Sequence, residues 1–166
     1  HEYVYDEESA LFGSSYSDIY DNSIHWVDAL LETLFEHLSE EGYLENTLIV
    51  VASDHGEAFL ERGFEGHGRK VYREETEIPL LISFPFRLDP GAVVTARTRN
   101  IDVWPTLLDL LGLSPPEGID GRSRLADIVA SLEGASPEAD EEIAVSHLDQ
   151  TWGQRGAEPQ TTIAVV

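Results

Sequence analysis

The stretch Leu48-Ile49-Val50-Val51-Ala52-Ser53-Asp54-His55-Gly56-Glu57 constrains this chain more than any other. An apolar run leads straight into a carboxylate, an imidazole and a glycine. Such a run predicts a strand buried on both faces, as in a parallel sheet. Asp54 and His55 then fall just past its carboxyl end, where open α/β sheets collect ligands and chemistry. Adjacent oxygen and nitrogen donors, followed by a residue that lets the backbone turn sharply, suit a divalent metal. The same residues also suit a capped loop, with Asp54 as the cap and His55 at the surface.

Patterns on either side predict alternating helices and strands. Residues 1–16 are polar and aromatic and read as a loop. From Ile19 to Glu41, Ile24, Val27, Leu31, Leu34 and Leu38 recur at spacings of three and four, one face of a helix. Ser17 or Asp18 is its expected cap and Gly42 its stop. His25 and His37 read as solvated or core-edge side chains. Leu80 to Phe84 reads as a second buried strand, with Pro79 at its start. Asp89-Pro90-Gly91 is a turn signal, and 92–97 reads as a short strand. Asp102 is placed to cap a helix with Pro105 in its first turn and Gly112 as its end. Leu125 to Leu132 reads as a short helix, 134–140 as a loop, and 143–146 and 161–166 as strands. This alternation predicts an α/β sandwich around a mainly parallel sheet.

Charge narrows the partners. The 166 residues include 32 acidic and 10 basic side chains, a formal net charge of -22. That argues against nucleic-acid backbones and anionic membrane surfaces. No apolar run approaches the roughly 20 residues that cross a bilayer. The absence of cysteine excludes disulfides and thiolate metal sites within the segment. Against this acidic background, 58–73 carries Arg62, His67, Arg69 and Lys70 among glycines. It is either a candidate anion site or a loop with solvated charges. A hard cation at Asp54 and His55, beside His67, Arg69 and Lys70, would bind and polarise a phosphate or sulfate ester. No nucleophile with an activating neighbour and no complete metal shell stands in the sequence.

Several blocks together resemble the sulfatase family of the alkaline-phosphatase superfamily. They are Ser53-Asp54-His55-Gly56-Glu57, His67-Gly68, Tyr72 with Glu74-Glu75 ahead of Ile78-Pro79-Leu80-Leu81-Ile82, Ile101 to Gly112, Asp120-Gly121-Arg122-Ser123, and Tyr20 to Asp28. The resemblance implies an alkaline-phosphatase-like α/β sandwich, mainly parallel and flanked by helices. The chain would be the carboxyl-terminal part of the catalytic domain, with 1–16 as loop, 17–134 as core and 135–166 as peripheral strands. It implies a metal-dependent sulfuric ester hydrolase with Asp54 and His55 as metal ligands. The metal would be calcium, with manganese or zinc as alternatives. His67 would hold the ester oxyanion, with Arg69 and Lys70 as alternates, and His1 would match a histidine that protonates the leaving group or binds substrate. The formylglycine nucleophile and remaining ligands would lie elsewhere in a longer polypeptide, so this segment alone is expected to be inactive. The expected substrate is a small-molecule or glycan sulfate ester. A histidine after the aspartate also fits phosphonate or phosphodiester hydrolases and phosphoethanolamine transferases of the superfamily. A non-catalytic module retaining the fold is the remaining alternative. A periplasmic or extracellular location is common in the family, but no residue here indicates one.

Overall fold

The computed structural model describes residues 3–85, 93–135, 143–151 and 154–165. His1 and the Asp89-Pro90-Gly91 turn lie outside the described residues, as does most of the 134–140 loop. The chain divides into two compact units, one of residues 1–86 with 146–164, the other of 87–145 with the last two residues.

The first unit opens with a loop and then α1 (Tyr16–Glu40). The cap is Ser15, two or three residues earlier than the pattern of Ser17 and Asp18 suggests. Asp18 instead sits at the third helical position. Its backbone N–H donates to Ser15 Oγ at 3.2 Å, and its Oδ2 accepts from Ser15 N at 2.9 Å. This reciprocal box satisfies two donors that the helix start would otherwise leave unpaired. Asn22 is 1% exposed on this helix and fastens the preceding loop. Its Oδ1 accepts from Leu11 N at 2.9 Å and Phe12 N at 3.0 Å. The helix ends on Gly42, with Tyr43 N donating back to Leu38 O at 2.8 Å. This is the left-handed terminal turn that glycine permits.

Strand β1 (Ile49–Ala52) follows, then the two-residue strands β2 (Ala58–Phe59) and β3 (Glu65–Gly66), the single turn α2 (Arg73–Thr76) and β4 (Leu80–Ser83). β2 pairs antiparallel with β3. β1 also pairs antiparallel with β4, Ile49 opposite Ser83 and Ala52 opposite Leu80, so this pair departs from the parallel arrangement that the apolar run predicts. A parallel return needs a crossover, usually a full helix. The longest helix between these strands is the four-residue α2. Nor is β1 buried on both faces. Val51 is 37% exposed and Leu81 on β4 is 59% exposed, because β1 has only one paired neighbour among the described residues. Strand β5 (Val145–Asp149) pairs with β6 (Thr161–Val165). β5 begins two residues later than its apolar pattern suggests.

The second unit holds α3 (Asn100–Leu110) and α4 (Leu125–Leu132). Residues 93–97 form no strand; their weak alternation has no partner strand among the described residues. α3 starts before Asp102, which is its third residue, not its cap. Pro105 therefore falls in the second turn. Having no N–H, it leaves the Ile101 carbonyl without its helical donor. Gly121 packs against that carbonyl so closely that a Cβ there would lie 1.8 Å from it. Asp102 is fully buried and gathers this unit around itself. It accepts from Arg99 Nη2 at 2.9 Å, Arg122 N at 3.1 Å and Arg124 Nη2 at 2.9 Å. Burial opposes its ionisation, but the Arg99 guanidinium, the Arg122 and Arg99 backbone N–H groups and Arg124 outweigh it. They hold the carboxyl well below the usual carboxylate range. No helix among the described residues is long and apolar enough to cross a membrane.

Candidate active site

The loop after β1 is shaped from both ends. Ser53 Oγ donates to His55 O at 2.6 Å, and His55 N donates to Asp54 Oδ1 at 3.0 Å, so the loop closes on its own backbone. Gly56 N donates to Glu75 O of α2 at 2.9 Å. A Cβ on residue 56 would lie 2.2 Å from Glu74 O, so only glycine fits there. Glu75 Oε2 also accepts from Arg69 N at 3.3 Å, so this one turn braces both the Asp54–His55 loop and the glycine-rich loop.

An open pocket of about 260 Å³ lies at this strand end, lined by Tyr3, Tyr20, Asp54, His55, Glu57 and His67 among others. The His55 and His67 rings stack with centroids 4.0 Å apart. His67 Nδ1 lies 3.1 Å from Glu57 Oε2 and 3.2 Å from Oε1, and the Glu57 side chain is only 4% exposed. Tyr3 donates its phenol to the same Glu57 Oε2. Since Tyr3 has a single O–H, the 2.9 Å contact between the Tyr3 and Tyr16 hydroxyls has Tyr16 as donor. Burial first, then the hydrogen bond to Glu57, push the Tyr3 phenol far above its ordinary range, so it stays protonated. Burial and the Glu57 charge push Tyr20 the same way. Tyr3, Tyr16, Tyr20 and Phe59 pack their rings edge-on or tilted at 5.0–5.7 Å, forming the aromatic wall behind Glu57.

Of the residues singled out from sequence, Asp54, His55 and His67 converge on this pocket. Arg69 and Lys70 stand exposed on the glycine-rich loop outside its lining, with Arg69 O accepting from Gln150 Nε2 at 2.7 Å. His25 is half-buried and His37 exposed on α1, and neither lines the pocket. Sequence reasoning overlooked Glu57, Tyr3 and Glu75. Glu57 had a signal, a carboxylate directly after the turn glycine. Tyr3 had none, because its partner is 54 positions away.

The donor set fits two ligands of one cation. The Gly56 carbonyl only accepts, so the 2.9 Å contact with His55 Nδ1 makes that nitrogen the donor. Nε2 would then be the edge toward a cation, and it faces Asp54 Oδ2 at 3.7 Å. That separation is too long for a hydrogen bond. It suits two ligands sharing an ion with bonds of about 2.0–2.6 Å. Among the described residues no group of three or more metal-type ligands forms.

The Sulfatase family profile matches residues 3–113. Arylsulfatase K of Xenopus laevis is 34% identical over 104 residues, 63% of this chain and 19% of that protein. Among solved structures, BT4656 in complex with its substrate D-glucosamine-2-N,6-O-disulfate superposes with a TM-score of 0.70 at 30% identity, over 90% of this chain and 30% of that one. The phosphonate monoester hydrolase SpPMH from Silicibacter pomeroyi gives 0.67 at 36% identity, over 80% of this chain and 25% of that one. The chain thus spans about a fifth of the length of the curated relatives it matches. The fold is alkaline-phosphatase-like α/β, as the sequence blocks imply, and the chain is part of such a domain. On the family profile, covering most of the chain, and on the ordered blocks around Asp54 and His55, this chain belongs to the Sulfatase family.

Proposed function

We propose that this chain supplies one wall of the active site of a metal-dependent sulfuric ester hydrolase. The observation that carries the reading is the convergence of Asp54, His55 and His67 on one pocket at the end of β1. Asp54 Oδ2 and His55 Nε2 would hold a divalent cation, calcium first, with manganese or zinc as alternatives. Such an ion neutralises charge that develops on the ester oxygens. His67 orients the sulfate group by its Nε2 edge. Arg69 and Lys70, on the same glycine-rich loop as His67, would add positive potential there in an otherwise acidic chain. His1 is the candidate for protonating the leaving alcohol. The attacking group, a formylglycine in this reading, and the other ligands come from outside these residues. In hydrolysis the attacking oxygen bonds to sulfur as the S–O ester bond breaks, and the departing oxygen takes a proton. The substrate class is a sulfate ester of a small molecule or a glycan, as in the glucosamine disulfate complex of BT4656.

A phosphoryl-handling relative is the second reading, favoured by the likeness to the phosphonate hydrolase. Both are tested together on the full-length polypeptide. It should hydrolyse p-nitrophenyl sulfate with higher kcat/KM than p-nitrophenyl phenylphosphonate, and Asp54→Ala should remove bound metal and turnover together. The reverse preference favours the second reading. Full retention of metal in the variant overturns the ligand assignment.

A further inference from the structure

We propose that Glu57 is a positioning residue that fixes the ring of His67, and that Tyr3 in turn fixes Glu57. The inference rests on the reading of His67 as the oxyanion-binding group. Three observations support it. First, among the described residues Glu57 is the only buried carboxylate that lines the pocket, and both of its oxygens lie within 3.2 Å of His67 Nδ1. An ionised carboxylate only accepts, so Nδ1 carries the proton and any contact His67 makes with a ligand uses Nε2. Second, donors run in one direction along Tyr16, Tyr3 and Glu57, so each hydroxyl orients the next group toward the imidazole. Tyr3 stays a donor because its environment keeps the phenol protonated. Third, the stacked His55 ring restricts rotation of His67 from the other face. A carboxylate and a stacked ring together leave the imidazole one orientation. A glycine-rich loop would otherwise leave it several, and Gly66 at φ 93° is the point where this loop turns past Glu57.

The tyrosine gives the arrangement a further consequence. Tyr3 comes from the segment before α1, so the oxyanion side of the pocket is set by residues from three separate stretches of chain. Glu57 needs to touch neither substrate nor metal to act.

The test uses the full-length polypeptide labelled with ¹⁵N-histidine. The His67 signals should report a protonated Nδ1 in the wild type and lose that signature in Glu57→Ala. Turnover of p-nitrophenyl sulfate should fall by roughly 10- to 100-fold in Glu57→Ala, the range for removing a residue that orients a ligand. Metal content should stay unchanged. In a His67→Ala background the same substitution should cost nothing further, since Glu57 acts through His67. Glu57→Gln keeps an oxygen acceptor of the same shape and should recover most of the loss. If Glu57→Ala does not fold, the wild-type imidazole signature decides the proposal. Unprotonated Nδ1 in the wild type, or losses that multiply in the double variant, overturns the proposal. If the wild type hydrolyses no sulfate ester, the hydrolase reading fails, and the imidazole signature still decides the role of Glu57.

Discussion

Gly56 is tightly seated between the loop after β1 and α2. Its N–H is committed to Glu75 O at 2.9 Å, and its α-carbon lies against the Glu74 carbonyl. Adding one methyl group would place a carbon 2.2 Å from that oxygen, and the atom it meets is backbone. The loop carrying Asp54 and His55 would have to lift off α2. We expect Gly56→Ala to cost about 1–3 kcal/mol, the range for forcing an extra carbon into a filled site. A urea melt of the full-length polypeptide measures this. Metal affinity should fall in the same variant, because the loop that sets the Asp54–His55 separation is the part displaced. An unchanged melt would mean that the loop and α2 are not held together as described. The pair itself was legible in sequence, since two adjacent donors after an apolar run need no knowledge of the fold. The tight seat of the glycine was not, because it depends on a carbonyl 18 positions away.

Among elements, α3 gives the clearest case of an ion pair built into a helix start. Asp102 is the third residue of α3, and its carboxylate collects Arg99, Arg122 and Arg124. Its folded-state pKa is depressed. The stability it contributes is therefore fully present above the ordinary carboxylate value of about 3.9 and is lost as pH falls below it. We expect the wild type to lose stability between about pH 4 and pH 2 more steeply than Asp102→Asn, which has no proton to gain there. At pH 7 the variant should be less stable by about 3–5 kcal/mol, because Arg124, 3% exposed, would keep its charge without the carboxylate. Urea midpoints at pH 3 and pH 7 measure both effects, and parallel pH profiles would remove Asp102 as the source. The helices themselves were readable: α4 falls on its apolar pattern, and α1 and α3 start within a few residues of theirs. Their starts shifted because a capping box uses two residues three apart, and the inner one was mistaken for the cap. The direction of β4 against β1 was not readable, since an apolar run fits either orientation.

For the whole molecule, the amount of exposed surface decides what this stretch can do by itself. Side chains that the sequence pattern assigns to a core stand exposed among the described residues. Ile24, Val27 and Leu34 on the α1 stripe are 54%, 46% and 46% exposed, and Ala58 and Pro105 are the only buried apolar residues among those described. The periodicity of α1 identified its apolar face correctly, but no pattern within the chain could say what covers that face. The same reasoning applies to the site, where Asp54, His55 and His67 line one pocket and no group of three or more metal-type ligands forms among the described residues. We expect the isolated 166-residue chain to bind a hydrophobic dye such as ANS strongly at neutral pH and to self-associate as its concentration rises. It should also turn over p-nitrophenyl sulfate no faster than buffer with the same divalent ion. Sedimentation, dye fluorescence and the assay are read on one preparation. A monomer that leaves the dye dark and unfolds cooperatively would show that these apolar faces are satisfied within the chain. Turnover above background would show that the wall described here is already a complete site.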